Sequence, residues 1–169
     1  HPTMDFARDR SDGDFRTIKP GSLVIVFISH DDLDHVYMCP NQILNNKWGA
    51  FHHNDLLGKE FGSTWHSRCS RGWVYALAPT PELWARALPH RTQIVHELDA
   101  AMIVLKLGLR PGHVVLESGT GSGAMSTTIM RSIAPTGHLH TFEFNGARVK
   151  AATDEFRING LAHLCTVRH

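Results

Sequence analysis

The sequence predicts an α/β protein in two parts: a small N-terminal β domain, then the first half of a doubly wound α/β sheet. Three observations carry this. Short β-prone runs crowd between residues 15 and 80, separated by glycines and polar turns. A proline-rich stretch, "PTPELWARALPHRT", then interrupts them. Beyond residue 110 the pattern becomes strand, glycine loop, helix, strand, helix, strand, which is how a parallel sheet with crossover helices is built.

Taken in order, residues 1–14 are charged and lack an apolar signal core, so they read as a loose tail and secretion is not expected. The three residues ahead of Met4 read as an added remnant. "SLVIVFIS" (22–29) follows the turn "KPG" and reads as a strand; "HVYMCP" (35–40) follows the polar turn "HDDLD", as in a hairpin. Gly49, Gly58 and Gly62 punctuate "WGAFHHNDLLGKEFGS" like short strands and turns, and "GWVYALAP" (72–79) is one more strand. Strands this short and close predict a small barrel-like or sandwich domain over 15–80. Pro81 can open a helical turn and Pro89 ends it. "QIVHELDAAMIVLKLGL" places Leu98, Met102 and Leu105 at helical spacing. In the remainder, 81–169, "HVVLES" and "GHLHTFEF" read as strands, and "LCTVRH" as the opening of a third. "AMSTTIMRSIA" and "ARVKAATDEFRINGL" read as the intervening helices.

Composition narrows the function. A hydrophobic content of 42% with 20% charged residues is enough to bury a core. No apolar run reaches the length of a membrane span. The three cysteines, Cys39, Cys69 and Cys165, are odd in number and far apart, which argues for reduced intracellular thiols rather than a disulfide framework. The 13 histidines include no HExxH pattern, and CxxC is absent, so a metal site is not expected. The net charge of +1 lacks the basic footprint of a nucleic-acid binder, so any RNA site must be a local patch or shared with a partner.

The chemistry concentrates in "VVLESGTGSGAMS". A P-loop would need a lysine after its glycines, and there is none. A dinucleotide fingerprint can be laid on Gly119, Gly121 and Ala124. An S-adenosylmethionine loop fits Glu117 followed by Gly119, Gly121 and Gly123. A carboxylate at Glu117 would repel a pyrophosphate bound at the helix N-terminus, whereas the ammonium and sulfonium of S-adenosylmethionine would be attracted to it. Glu143, twenty residues after Gly123, ends the next strand, where an acid accepts hydrogen bonds from ribose hydroxyls in either kind of site. A plain glycine turn with a solvent-facing Glu143 is the bland alternative.

"PTPELW" joined to "LPHRTQI", with "ESGTGSG" and "APTGHLHTFEF", resembles the catalytic subunit of the eukaryotic tRNA (adenine-N1)-methyltransferases, which modify adenine 58 in the T loop. "WGAFHHNDLLGKEFGS" resembles the small β domain of that subunit, so the likeness runs from about Phe15 to His169. The resemblance implies a Rossmann-like S-adenosylmethionine-dependent methyltransferase fold and a nuclear location. It also implies tRNA as substrate and a noncatalytic sister subunit in a heterotetramer. It places Gln93 and Val95 at the border of the cofactor, and Gly119, Gly121, Ser122, Gly123 and Ala124 around the methionine moiety. Glu143 falls at the ribose and Arg148 near the adenosine. Gln93 could equally bond backbone at a helix start, Val95 could be ordinary core, and Arg148 could be solvated. Arg68, Arg71, His90 and Arg91 are candidates for RNA contact, arginine being suited to phosphate. The aspartate that meets the target adenine in the family lies beyond the fourth strand, and no residue up to His169 matches it. The expectation is therefore a partial chain, inactive by itself, with "HVVLES" as an exposed edge strand; a noncatalytic fragment binding the sister subunit or RNA is the other reading.

Overall fold

The computed structural model describes residues 16–69 and 71–169; the tail expected over 1–14 lies outside them. The chain forms two compact units that divide between Pro79 and Thr80.

In the first unit, β1 (Leu23–Ser29) pairs antiparallel with β2 (Asp32–Tyr37) and with β6 (Trp73–Leu77), and β6 pairs with β5 (Thr64–His66). The sheet order is β2-β1-β6-β5. A separate hairpin is made by β3 (Ile43–Asn46) and β4 (Gly49–His52). Among the described residues this is a four-stranded sheet plus a separate two-stranded hairpin, where the strand spacing leads one to expect a small barrel-like or sandwich domain. The first hairpin's turn is also tighter than predicted: Asp32 already pairs with Ser29, so only His30 and Asp31 turn.

Alternation explains the core. Val24 and Val26 of β1, with Val74 and Ala76 of β6, meet Phe51, Leu56, Met38 and Trp65 in one buried cluster. Trp65 is 1% exposed, and its indole N–H donates to the carbonyl of His52 at 3.0 Å, so its polar edge is satisfied. His53, buried beside it, accepts the Cys39 N–H through Nδ1 at 3.0 Å; burial holds its pKa below the usual value.

The second unit opens with α1 (Pro81–Ala87). Thr80 accepts from Leu83 N–H at its N-terminus, and Pro81 occupies the first turn, where a missing N–H costs nothing. Helix α2 (Glu97–Leu107) ends on Gly108 in the left-handed conformation. Three parallel strands follow, β7 (Val114–Ser118), β8 (His138–Phe142) and β9 (Cys165–Arg168), in the order β7-β8-β9. Helix α3 (Ala124–Ile133) links the first pair, and α4 (Gly146–Ile158) links the second. Ile129, Met130 and Ile133 of α3 share a buried cluster with Leu139 and with Ala152 and Phe156 of α4. Both helices therefore pack on the same face of the sheet.

The other face is bare in this unit: Val114 and Leu116 are 69% and 75% exposed, and β7 is an edge. Helix α2 forms where the helical spacing places it. Leu98, Met102 and Leu105 do share a face, but that face points outward, while Ala100 is buried. The spacing reports that residues share a side, not which side is covered.

Gly137 sits where α3 hands over to β8, and a Cβ there would lie 2.6 Å from the carbonyl oxygens of His113 and Ile133 and from Ile133 Cβ. Gly137→Ala is expected to destabilise this unit by about 1–3 kcal/mol through overpacking, read as a lower midpoint in urea unfolding. An unchanged midpoint would show that the junction relaxes freely.

Candidate cofactor site

A cavity of about 590 Å³ opens at the carboxyl ends of β7 and β8. Ser118, Gly119, Gly121, Phe142, Glu143, Phe144 and Arg148 line it, together with Thr92 and His169. This is the usual place for a ligand on an open parallel sheet.

The glycine loop alternates in direction as well as in composition. Gly119 and Gly121 face the cavity, with φ of +96° and +56°, values that side chains rarely adopt. A Cβ on Gly119 would touch no protein atom; it would project into open space. Between the glycines, Thr120 and Ser122 point inward and are 4% and 3% exposed. The third glycine, Gly123, begins α3 and has the ring of Phe156 3.0 Å from where its Cβ would be.

Glu143 is the centre of the site. Its Oε2 accepts the Gly121 N–H at 2.9 Å. Its Oε1 accepts from Asn145 N–H at 2.9 Å and from Arg148 Nε and Nη2 at 3.0 and 2.7 Å. The side chain is 4% exposed, yet the paired guanidinium and the two backbone donors hold its pKa down, to about 2. It is therefore a fixed, ionised acceptor at any physiological pH. Asn145 also caps α4, accepting from Ala147 and Arg148 N–H, so one turn aims both the carboxylate and its arginine.

Glu117 does something different from what its sequence position predicts. On β7 it shares the inner side with Val115, which packs into the helix-side core, and it does not line the cavity. Its Oε2 accepts from Ser126 Oγ at 2.5 Å and Thr141 Oγ1 at 2.6 Å. Thr141 in turn accepts from Thr120 Oγ1 at 2.6 Å. Burial pushes the Glu117 carboxyl up, opposed by the two hydroxyl donors. A residue expected to face a cationic ligand instead ties β7, β8, α3 and the loop together from behind. The electrostatic case against a pyrophosphate loses its basis with it.

The remaining sequence candidates scatter. Gln93 is exposed and outside the cavity. Val95 lines a different, largely apolar cavity of about 540 Å³ bounded by α1, α2 and α3. Ser122, Gly123 and Ala124 are buried beneath the loop. Arg68 is paired with Asp55 through two donors, and Arg91 with Glu155 at 2.9 Å. Arg71 is on the surface, and His90 Nε2 meets the carbonyl of Ala85 at 3.1 Å. Thr92, Ser118, Phe142, Phe144 and His169 line the cavity without having been singled out in the sequence. The inward threonine and serine between the glycines were the one available signal that the loop is anchored on two sides.

A family model described as the tRNA methyltransferase complex GCD14 subunit matches residues 72–169. The chain belongs to this family. Among curated relatives, the tRNA (adenine(58)-N(1))-methyltransferase catalytic subunit trmt61a of Dictyostelium discoideum is 44% identical over 154 residues, covering 91% of this chain and 49% of that protein. Its counterpart trm61 of Schizosaccharomyces pombe is 41% identical over 140 residues, covering 83% and 38%. The chain thus spans about half or less of the length of these relatives. Among solved structures, the tRNA (m1A58) methyltransferase TrmI of Aquifex aeolicus superposes with a TM-score of 0.70 at 25% identity, over 90% of this chain and 58% of that one. A SAM-dependent O-methyltransferase of Thermotoga maritima superposes at 0.79 with 24% identity, over 90% and 57%, which shows the shared fold. Among the described residues no helix is long and apolar enough to cross a membrane.

Two measurements separate the two acids. Glu143 has its pKa lowered from 4.5, so its ion-paired form stabilises the fold above pH 4.5, and that contribution is lost as pH falls towards 2. Glu143→Gln is expected to lower the unfolding midpoint at neutral pH, with the gap to wild type closing across that window. A gap that stays constant down to pH 2 would show that the ion pair contributes no stability. Glu117 has its pKa raised from 4.5, so its ionisation costs stability as pH rises above that value. Glu117→Gln keeps an oxygen for both hydroxyls and is expected to gain on wild type as pH increases from 4.5 to 8, measured by the same melts; a variant that falls behind would overturn this.

Proposed function

We propose that this chain carries the methyl-donor half of a tRNA (adenine-N1)-methyltransferase acting at position 58, with S-adenosylmethionine as cofactor. The observation that carries the reading is Glu143. It is an ionised acceptor fixed at the end of the second strand, beside Gly119, whose missing side chain leaves the cradle open. The family match and the tRNA methyltransferase names of the relatives support the same reading.

The residues present fit a nucleoside-bearing cofactor. Glu143 Oε2, which takes only the Gly121 N–H, would have a lone pair for a ribose hydroxyl, while Asn145 and Arg148 occupy Oε1 and keep the carboxylate charged and oriented. Gly119 would let a ligand approach the backbone, and Phe142 and Phe144 supply apolar surface at the cavity's rim. S-adenosylmethionine supplies an electrophilic methyl group when bound, and adenine N1 has the lone pair to attack it. The chain's contribution is alignment and exclusion of water, and the base must leave its stack to reach the cavity. Ser122, Gly123 and Ala124 act from behind the loop, not as ligands. tRNA as the macromolecular substrate, a noncatalytic sister subunit in a heterotetramer, and a nuclear place of action belong to the same proposal. A shared RNA surface accounts for a chain with a net charge of only +1.

Isothermal titration tests the reading. The chain is expected to bind S-adenosylmethionine and not NAD. Glu143→Gln is expected to weaken that binding about 10- to 100-fold, the worth of losing charge-assisted hydrogen bonds. Binding of NAD in preference, or no response to S-adenosylmethionine, would overturn it.

A further inference from the structure

We propose that Arg91 is a positioning residue: with Glu155 it forms a strut that holds the glycine loop against α4. Its side chain is 24% exposed and Glu155 is 10% exposed. Arg91 Nη1 donates to Glu155 Oε2 at 2.9 Å, and Nη2 donates to the carbonyl of Ser122 at 3.2 Å. Neither residue lines the cavity. The neighbouring Thr92 completes the grip: its N–H donates to Ser122 Oγ at 2.9 Å, and its hydroxyl lies 3.2 Å from the same oxygen. Residues 91 and 92 therefore hold both the backbone and the side chain of Ser122, while Glu143 holds the amide of Gly121 one residue earlier.

Two chemical points make this a device for the loop rather than a general brace. A guanidinium presents a planar fork of donors, so one side chain can serve a carboxylate and a carbonyl together; lysine cannot reproduce that geometry. And Gly121 is closed in by the same segment: a Cβ there would lie 2.7 Å from Thr92 Oγ1. The "HRT" segment fixes the loop from behind and simultaneously supplies, in Thr92, part of the cavity wall. Arg91 thereby has its donors turned inward, away from the phosphate contact its position in the sequence predicts.

The inference deepens the cofactor reading and rests on it for the identity of the ligand, but its first test needs no ligand. In hydrogen exchange of the 169-residue chain, Arg91→Met and Glu155→Gln are each expected to speed exchange of the Gly121 amide about tenfold, with β8 and β9 unchanged. Arg91→Lys, which keeps the ion pair but not the fork, is expected to fall between, and it serves as the comparison if Arg91→Met does not fold. In titrations with S-adenosylmethionine the same order is expected in affinity: wild type, Arg91→Lys, then Arg91→Met with Glu155→Gln. Faster exchange spread evenly over α4 and β9 would show a merely structural brace and overturn the proposal. So would unchanged loop exchange with weakened binding of a tRNA transcript, which would make Arg91 an RNA contact. If wild type fails to bind S-adenosylmethionine, the cofactor reading falls, and the exchange data alone decide whether Arg91 positions the loop.

Discussion

The hydrogen bond from the Gly121 amide to Glu143 is the constraint on which the rest of the site turns. It joins the loop after the first parallel strand to the end of the second, and it does so with a carboxylate that remains ionised because Arg148 and Asn145 also donate to it. The order β7-β8-β9 is what brings the two strand ends side by side. Helix α4 starts on Asn145, within two residues of that carboxylate, so its direction is set by the same turn. Core, crossover helix and cavity wall are consequently three views of one local arrangement.

Two acids separated by one strand pairing behave in opposite ways, and the difference lies in their side of the sheet. Glu117 stands directly opposite Thr141, on the helix-covered face, and is satisfied by hydroxyls without a cation; its carboxyl is pushed up. Glu143, beyond the end of its strand, escapes that face and meets an arginine; its carboxyl is pushed down. The first binds protein to itself, the second presents an acceptor to a ligand. A carboxylate adjoining a glycine loop is thus not evidence of ligand contact until its side of the strand is known.

The order of elements in the second unit was legible because glycines and prolines punctuate the strand and helix runs, Pro81 at the start of α1 among them. Thr80 and Asn145 cap α1 and α4, while α2 and α3 begin on His96 and Gly123 without a side-chain cap. Glu143 was legible as the acid at a strand end. What could not be read was direction. Leu98, Met102 and Leu105 repeat at helical spacing, but nothing local says that Ala100 is the residue that packs. On β7 both alternating sets are apolar, so the parity that turns Glu117 inward carries no label. The cavity draws on Thr92, Phe142, Phe144 and His169, residues from three separated segments with no shared motif, which only tertiary folding assembles. In the first unit the strand runs were legible while their pairing order was not, because hydrogen bonding between distant strands leaves no local periodicity.

The ring of Phe156 is fully part of the helix-side core and is also the surface on which Gly123 rests. One side chain therefore answers to two packing requirements. A replacement that suits the core by filling volume lifts the loop above it, and one that relieves the loop leaves a void below. A substitution at this one position thus reaches the loop and the core together.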